Sequence, residues 1–590
     1  MHGGIKFYRG AAKAARAYVE SDHSRADDYY LAEGSGLAHR LVATPDGVAR
    51  MVDMEGDEFE SWVAGVDLAT GKPKGRLRHD ANALRYVEVT VNGPKTWSLA
   101  AALHPEVSAV LDAAQDRAAE QIVAFVAQHA TTRVGPRGRQ VQVQVEQIEA
   151  AVIRHYTSRA GDPHRHLHLQ INARVWAEGK WRGLHSVGLR DMIEAINGIG
   201  HAAVATDPGF RRVLAKHGLT LDSMSGEVAQ LAPYVGAFSA RTSQIHRNID
   251  RYEAEWRREH PGEDPGPKLQ EIWDRRAWAD ARPDKVAPSS GADLVARWNA
   301  ELRDLGYRDP TAPVEVESTQ VAWINRDGTA EWALSQLSAK RSAWNAADIR
   351  GRVEVLLAEA NVVAEPAARI ELAEDITARA VARCTPLLVS PEEVPEHVRA
   401  LTSDAVLAVE ADIVRRLARR GEQPAKRARA TTRGLVRIDP SQAAVVGALA
   451  GDGRLVVVEG AAGAGKTTAL RATRELLEVF GQRLVVVTPT LKAAEVAAAE
   501  TGAEGHSAAW LIHQYGYDPA RLEYLLIEGP PLRVTHAALL VDGRWVLDSG
   551  PRCQDVCTLE RFTAGLRVTG QLPVTELPYL RQALRITKRR

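Results

Sequence analysis

Cysteine is scarce in this chain of 590 residues, which contains only Cys384, Cys553 and Cys557. So few thiols exclude a disulfide framework and fit a reducing cytosol, and we interpret Cys553 and Cys557 as ordinary thiols. Long apolar runs are also absent: no window approaches the ~18 residues of a membrane span, and the first ten residues lack the apolar core of a signal peptide. We therefore expect a cytoplasmic protein without membrane insertion.

An excess of one charge is absent too, because 75 Lys and Arg balance 75 Asp and Glu. Net charge therefore neither favours nor excludes a nucleic-acid partner, and local patches must decide. The clearest patch is a basic stretch interrupted by Pro424, which we interpret as an exposed linker; it contains Arg415, Arg416, Arg419, Arg420, Lys426, Arg427, Arg429 and Arg433. A solvated helix face or a contact with the DNA backbone would explain its charge.

Four regions differ in sequence pattern, and the length alone exceeds one domain of ~100–200 residues. Residues 1–310 mix alternating strand patterns with amphipathic helices, among them a predicted helix over 104–129. Residues 311–435 are mainly helical and form a connecting region that ends in the basic stretch. Residues 436–515 have the pattern of a nucleotide-binding α/β unit, and residues 516–590 are an unassigned tail with short strand-like runs.

A histidine-rich strand is predicted over 166–173, where polar and apolar residues alternate strictly. One face would carry His166, His168, Gln170 and Asn172, and the other would carry the apolar residues. His155 lies in a second strand-like run, 151–156, which a Gly161-Asp162-Pro163 turn can bring alongside as an antiparallel neighbour. Three neutral imidazoles on one face suit a divalent metal with an open coordination position. Alternatively, the histidines are incidental, or they form with His164 a solvated turn.

Three tyrosines, Tyr18, Tyr29 and Tyr30, stand close together near the N-terminus. A phenol with its ordinary pKa of ~10 is a poor nucleophile, but a metal on the non-bridging oxygens can assist its attack on a phosphodiester. Together with the histidines, the tyrosines suggest covalent phosphoryl transfer. Taken alone, they would be interpreted as aromatic residues that pack helices.

These motifs resemble the MobF class of conjugative relaxases, which are histidine-hydrophobic-histidine endonucleases. The resemblance covers about residues 1–310 and rests on Asp27-Asp28-Tyr29-Tyr30, Asn92-Gly93-Pro94-Lys95, Arg154-His155-Tyr156-Thr157-Ser158, Asp162-Pro163-His164-Arg165-His166-Leu167-His168 and Trp181-Arg182. It implies an α/β fold class: a palm with an antiparallel sheet and flanking helices, followed here by a partial P-loop α/β domain. It also implies a tyrosine that cuts single-stranded DNA beside a hairpin at a transfer origin, leaving a covalent 5′-phosphotyrosyl link and a 3′-hydroxyl.

Carried onto this chain, the resemblance makes Tyr18 the first choice of nucleophile and Tyr29 the second. It implies a divalent metal on His155, His166 and His168, with Mg or Mn expected and Zn, Ni or Cu acceptable to such ligands. Glu88 stands where the family usually has Asp, and by parity it can face the cleft to orient a histidine or help deprotonate the tyrosine; a surface carboxylate is the alternative. The DNA contacts would come from Lys95, Arg154 and Arg182, and relaxosome accessory and coupling proteins are further candidate partners. One departure is Val19, where a second tyrosine often follows the first.

A P-loop follows the apolar run 455–458 and precedes a helical stretch. Its phosphate-binding residues would be Gly460, Gly463, Gly465, Lys466 and Thr467, with ATP and magnesium as the ligands. Asp439-Pro440-Ser441-Gln442 and the segment 487–494 resemble RecD-type helicases, in which Gln442 would contact adenine. The motor looks incomplete, because Gly543 follows Asp542 where an acid is expected. We therefore expect ATP binding without DNA unwinding.

Two other functions remain open at this point. A metal-dependent phosphodiesterase could use bound water instead of tyrosine, and an inactive remnant would bind DNA without cutting it. The nick-site sequence, the metal used, the tyrosine that cuts first, ATP hydrolysis and the oligomeric state do not follow from the sequence.

Overall fold

The computed structural model describes residues 4–26, 37–77, 82–136, 139–158, 160–259, 269, 272–273, 276–277, 291–388, 394–421, 428, 438–453, 456–459, 465–488, 491–507, 510, 532–534 and 567–569. The chain divides into two compact units, residues 1–244 with 282–407, and residues 245–281 with 408–590. Among the described helices, none is long and apolar enough to cross a membrane.

The first unit contains both strands and helices. Its strands are β1 (Ile5–Tyr8), β2 (His39–Thr44), β3 (Gly47–Arg50), β4 (Tyr86–Asn92), β5 (Thr131–Val134), β6 (Val141–Gln144), β7 (Ile148–Thr157), β8 (Pro163–Asn172), β9 (Arg174–Ala177), β10 (Lys180–Gly183), β11 (Thr385–Pro386) and β12 (Leu401–Thr402). Its helices are α1 (Ala12–Ala26), α2 (Gly56–Ala64), α3 (Lys95–Leu103), α4 (Pro105–His129), α5 (Ser186–Asp191), α6 (Ile193–Ala205), α7 (Pro208–Lys216), α9 (Gly291–Asp304), α10 (Arg326–Ser338), α11 (Ala346–Glu359) and α12 (Pro366–Ala382). The chain passes from one unit to the other within two helices, α8 (Ala240–Glu259) and α13 (Asp404–Gly421).

An antiparallel sheet with the strand order β1-β4-β8-β7-β2-β3 forms the centre of the first unit. Apolar residues at alternate positions of β4 and β8, such as Val89 and Leu169, face a core that includes α4. The helix predicted over 104–129 is confirmed as α4. The opposite face of the sheet packs against α1 and α2 through Ala151 and Ile153. The antiparallel sheet with flanking helices confirms the predicted fold class.

The connecting region predicted at 311–435 is helical, and part of it packs on the first unit. Residues 282–407 belong to that unit, so the predicted division at 310 does not coincide with a boundary between compact units. Helices α11 and α6 cross where Gly198 meets Gly351. A Cβ on Gly351 would overlap the Glu194 carbonyl oxygen, so only glycine permits this approach. Arg415 and Arg416 of the basic stretch lie on α13 and pair with Asp412.

Replacing Gly351 by alanine is expected to lower the free energy of unfolding by about 1–3 kcal/mol, because backbone atoms of two helices must separate. Chemical unfolding of the full chain measures this loss. Gly236→Ala is the matched control, since nothing lies within 4 Å of a Cβ there. Equal stabilities of the two variants would contradict the tight crossing.

The second unit contains the described part of the nucleotide-binding region. Its strands are β13 (Val457–Glu459), β14 (Arg483–Thr488), β15 (Glu504–Ser507), β16 (Leu532–Val534) and β17 (Arg567–Thr569), and its helices are α14 (Pro440–Leu449), α15 (Lys466–Val479) and α16 (Leu491–Thr501). Strand β14 pairs in parallel with β15 and β16, as in a P-loop α/β fold. The strand and the helix predicted on either side of the phosphate-binding residues are confirmed as β13 and α15.

Candidate metal and nucleophile site

Three histidines meet on the face of the central sheet that also packs against α1. His155 on β7 lies directly opposite His166 on β8, and His168 follows two positions along. The distances between ring centroids are 5.2 Å for His155–His166, 4.8 Å for His155–His168 and 5.0 Å for His166–His168. One possible ligand atom from each residue lies within 4.8 Å of the others. The predicted cluster on one face is confirmed, and metal binding by it stays a prediction.

Contacts at Nδ1 help to orient two of these rings. His166 Nδ1 lies 2.9 Å from the His164 carbonyl oxygen, which can only accept, so this nitrogen carries the proton. His168 Nδ1 lies 3.2 Å from Glu88 Oε1. Both contacts leave Nε2 available to a metal, which is the common arrangement in which an acceptor fixes the tautomer of a ligating histidine.

Glu88 faces this cleft, as its strand parity predicts. Burial acts to raise the pKa of the Glu88 carboxyl, but His168, Lys6 and Gln170 together hold it below its ordinary value. Gln170 Nε2 donates to Glu88 Oε2 at 3.0 Å. An acid whose pKa is lowered accepts protons poorly, so the environment favours the orienting role over the role of a base.

His166 is held in the neutral form that binds metals. Burial lowers the pKa of His166 well below its ordinary value, and the neighbouring histidines lower it further. Burial, with the charges of Lys95 and His168, also lowers the pKa of His164 to about 3. Metal ligation requires neutral imidazole, and three such donors fit a divalent transition metal with an open position.

Tyr18 lies on α1, between two residues, Ala15 and Val19, that pack against the sheet. Its side chain is 44% exposed, which leaves it accessible to a substrate. Burial raises the pKa of Tyr86 well above its usual range, and the charges of Glu88, Tyr8 and Tyr18 raise it further. Tyr86 therefore keeps its proton, while both Tyr18 and Glu88 lie near enough to influence it. Tyr29 and Tyr30 lie outside the described residues.

The three predicted DNA-binding residues lie in different surroundings. Lys95 begins α3, where burial lowers the pKa of its ammonium group against the attraction of Asp162. Arg154 Nη1 donates to Asp112 Oδ1 of α4 at 3.0 Å, on the sheet face opposite the histidines. Arg182 Nη2 donates to Glu178 Oε2 at 2.9 Å, in the hairpin of β9 and β10. The structure does not gather these cations at one place.

The sequence interpretation missed a network behind the histidines, formed by Asp112, Gln115 and Arg165. Arg165 belongs to the histidine motif. As the neighbour of His166 on a strand, it is expected on the opposite face of the sheet. The two α4 residues carried no motif. Their polarity on a buried helix face was the available signal.

The nucleotide-binding residues are partly described. Gly465 has a φ of 75°, a left-handed conformation that favours glycine, and it directly precedes α15, which begins at Lys466 with Thr467 in its first turn. Gln442 belongs to a capping box: its Oε1 accepts from the Asp439 N–H at 3.1 Å. Gly460 and Gly463 lie outside the described residues, as do Asp542 and Gly543.

Comparison with known families fits this geometry. Residues 12–305 match the TrwC relaxase family model, so the N-terminal region is a DNA relaxase domain. Residues 437–548 match an AAA domain model, beyond the predicted end at 515. The chain thus joins a relaxase of the TrwC type to a helicase-like domain, as the motifs predicted.

Several solved structures are similar to about half of the chain. A metal-free conjugative relaxase TrwC in complex with oriT DNA is 19% identical, with a TM-score of 0.38, and covers 52% of this chain and 100% of that one. A copper-bound TrwC complex is 21% identical, with a TM-score of 0.40, and covers 52% and 99%. TrwC with a 27-mer DNA comprising the recognition hairpin and the cleavage site is 18% identical, with a TM-score of 0.37, and covers 52% and 99%. No curated protein sequence matches.

Proposed function

We propose that this protein nicks one strand of DNA at a transfer origin, by tyrosine transesterification beside a divalent metal bound to His155, His166 and His168. The observation that carries the proposal is the cluster of three histidines, oriented by Glu88 and facing the side of the sheet on which α1 carries Tyr18. The cluster lies within the region that matches a relaxase family.

In this proposal Tyr18 attacks the scissile phosphorus, its oxygen forms a bond to phosphorus, and the bond from phosphorus to the 3′-oxygen breaks. The phenolic proton passes to solvent, and the departing oxygen takes a proton to become a 3′-hydroxyl. A metal, when bound, would act as a Lewis acid on the non-bridging oxygens. Glu88 keeps His168 in the tautomer that presents Nε2. Tyr29 would serve as the second tyrosine in strand transfer.

The substrate in this proposal is single-stranded DNA with an adjacent hairpin, of the kind named for the TrwC complexes. Magnesium or manganese is the proposed metal, and zinc, nickel or copper would also suit three imidazoles. Relaxosome accessory and coupling proteins, and a cytoplasmic location, belong to the same proposal.

We also propose that the second unit binds ATP and magnesium through Gly460, Gly463, Gly465, Lys466, Thr467 and Gln442, without unwinding DNA. Support comes from the left-handed Gly465 before α15 and from the AAA match. ATP-driven unwinding of duplex DNA by the purified chain would refute the second clause.

A covalent trap tests the nicking reaction. The full chain is incubated with Mn²⁺ and single-stranded oligonucleotides that carry each inverted repeat flanking its gene, and a protein–DNA adduct is sought on denaturing gels. Tyr18→Phe is expected to reduce the adduct about 10³-fold or more, because phenylalanine has no nucleophilic oxygen.

Tyr234→Phe is the matched control, since this tyrosine lies in the turn 232–234 and packs against Tyr307. Metal-dependent cleavage that forms no adduct and survives Tyr18→Phe combined with Tyr29→Phe would instead favour hydrolysis by water. DNA binding without any cleavage would favour an inactive remnant.

A further inference from the structure

We propose that Asp112 is a positioning residue for the three-histidine site, because its carboxylate holds the arginines that precede both His155 and His166. This inference rests on the proposed function of that site. The arginines are Arg154 on β7 and Arg165 on β8, and both point to the sheet face opposite the histidines, towards α4.

Asp112 contacts both strands from one helix. Arg165 Nη1 donates to both of its carboxylate oxygens, at 2.8 and 2.9 Å, and Arg154 Nη1 donates to Oδ1 at 3.0 Å. Arg154 Nη2 also donates to the Asp112 carbonyl oxygen at 3.0 Å. The Arg165 side chain is only 4% exposed and that of Asp112 is 24% exposed, so these charge-assisted bonds are partly shielded from solvent.

The contacts fall where the ladder between β7 and β8 is irregular. His155 pairs with His166, but Thr157 pairs with Pro163, so His164 and Arg165 together oppose Tyr156. A bulge of this kind leaves a residue outside the ladder and changes the direction of neighbouring side chains.

Groups outside the ladder form hydrogen bonds with the backbone of Arg165 at this bulge. Its N–H donates to Ser98 Oγ of α3 at 2.9 Å, and its carbonyl accepts from Gln115 Nε2 of α4 at 3.3 Å. Gln115 Oε1 in turn accepts from Arg154 Nη1 at 2.8 Å. The Arg165 guanidinium stacks on the Tyr156 ring, 4.6 Å from its centroid.

The bulge determines how the histidines meet. It directly precedes His166, and a shift of register by one residue would turn His166 and His168 to the opposite face. Asp112 therefore fixes the pair His155–His166 through the arginine next to each, without touching a metal ligand.

Asp116 provides a matched control on the same helix. Its carboxylate accepts from Arg154 Nη2, so it is an aspartate on α4 that contacts one of the two arginines. If Asp112 acts only by neutralising Arg154, then Asp112→Asn and Asp116→Asn should have similar effects. If it acts by joining both strands, Asp112→Asn alone should disturb the histidines.

The test is Co²⁺ binding by the full chain, followed by calorimetry and by the visible absorption spectrum of the bound ion. Asp112→Asn is expected to weaken binding about 10-fold or more and to change the absorption bands, while Asp116→Asn stays within about 2-fold with an unchanged spectrum. Arg165→Leu, which removes the buried charge together with the bridge, is expected to reproduce the effect if Asp112→Asn does not fold.

The outcomes separate this inference from the function on which it rests. An unchanged affinity and spectrum in Asp112→Asn, or equal changes in the two aspartate variants, would overturn the positioning role while leaving the metal site in place. If Asp112→Asn does not fold, normal Co²⁺ binding by Arg165→Leu would overturn it. Absence of Co²⁺ binding by the unaltered chain would overturn the metal site itself, and with it this inference.

Discussion

Replacing His166 by alanine is expected to reduce metal affinity roughly 100-fold or more and DNA cleavage about 10³-fold, since one of three ligands is removed and stabilisation by the metal is worth several kcal/mol. His166 is one of the three proposed ligands: its ring lies 5.2 Å from that of His155 and 5.0 Å from that of His168. Calorimetry with Mn²⁺ and single-turnover cleavage of an oligonucleotide measure the two effects.

His164→Ala is the control for this experiment, because His164 lies on the same strand but outside the group of three ligands. Its backbone carbonyl, which accepts from His166 Nδ1, survives the substitution. Equal losses in the two variants would show that a general change in the strand is responsible. Normal cleavage by His166→Ala would remove the metal from the proposed reaction.

Replacing Glu354 by alanine is expected to lower the free energy of unfolding by about 3–5 kcal/mol, because it leaves buried arginine charge uncompensated. Glu354 on α11 is fully buried, and Arg369 on α12 is 1% exposed. Arg369 donates to Glu354 and to Gln121 of α4, and Arg350 Nε donates to Glu354 Oε1 at 3.0 Å. The carboxylate thus joins two helices of the connecting region, and Arg369 links them to α4.

Glu371→Ala is the control for the buried carboxylate. Glu371 pairs with Arg326 at 3.0 Å, but its side chain is 62% exposed, so its loss should cost about 0–1 kcal/mol. Urea unfolding of the full chain, followed by far-ultraviolet circular dichroism, compares the two variants. A similar small loss in both would mean that the buried triad contributes little net stability.

Local periodicity explains what the sequence could predict about the site. Helical spacing predicted α4 almost to the residue. Alternation in β8 placed His166 and His168 on one face, and alternation in β4 placed Glu88 on the same face. The bulge at His164 and Arg165 could not be predicted this way. It is held by Ser98 and Gln115, which lie on helices distant in sequence.

The extent of the first unit could not be predicted from the sequence either. The sequence pattern becomes mainly helical after residue 310, which predicts a separate connecting region there. The packing of α11 against α6 depends on Gly198 and Gly351, whose encounter leaves no local pattern in either helix.

The crossing of α6 and α11 bears on how the nicking unit can be produced on its own. Helix α6 is apolar nearly all round, with Ala195, Ile196 and Ile199 buried, and such a helix requires cover on more than one side. A recombinant fragment that stops at the end of the family match would lack α11. The apolar side of α6 that α11 covers would then be exposed and prone to self-association. A fragment that keeps the whole first unit together extends to about residue 407.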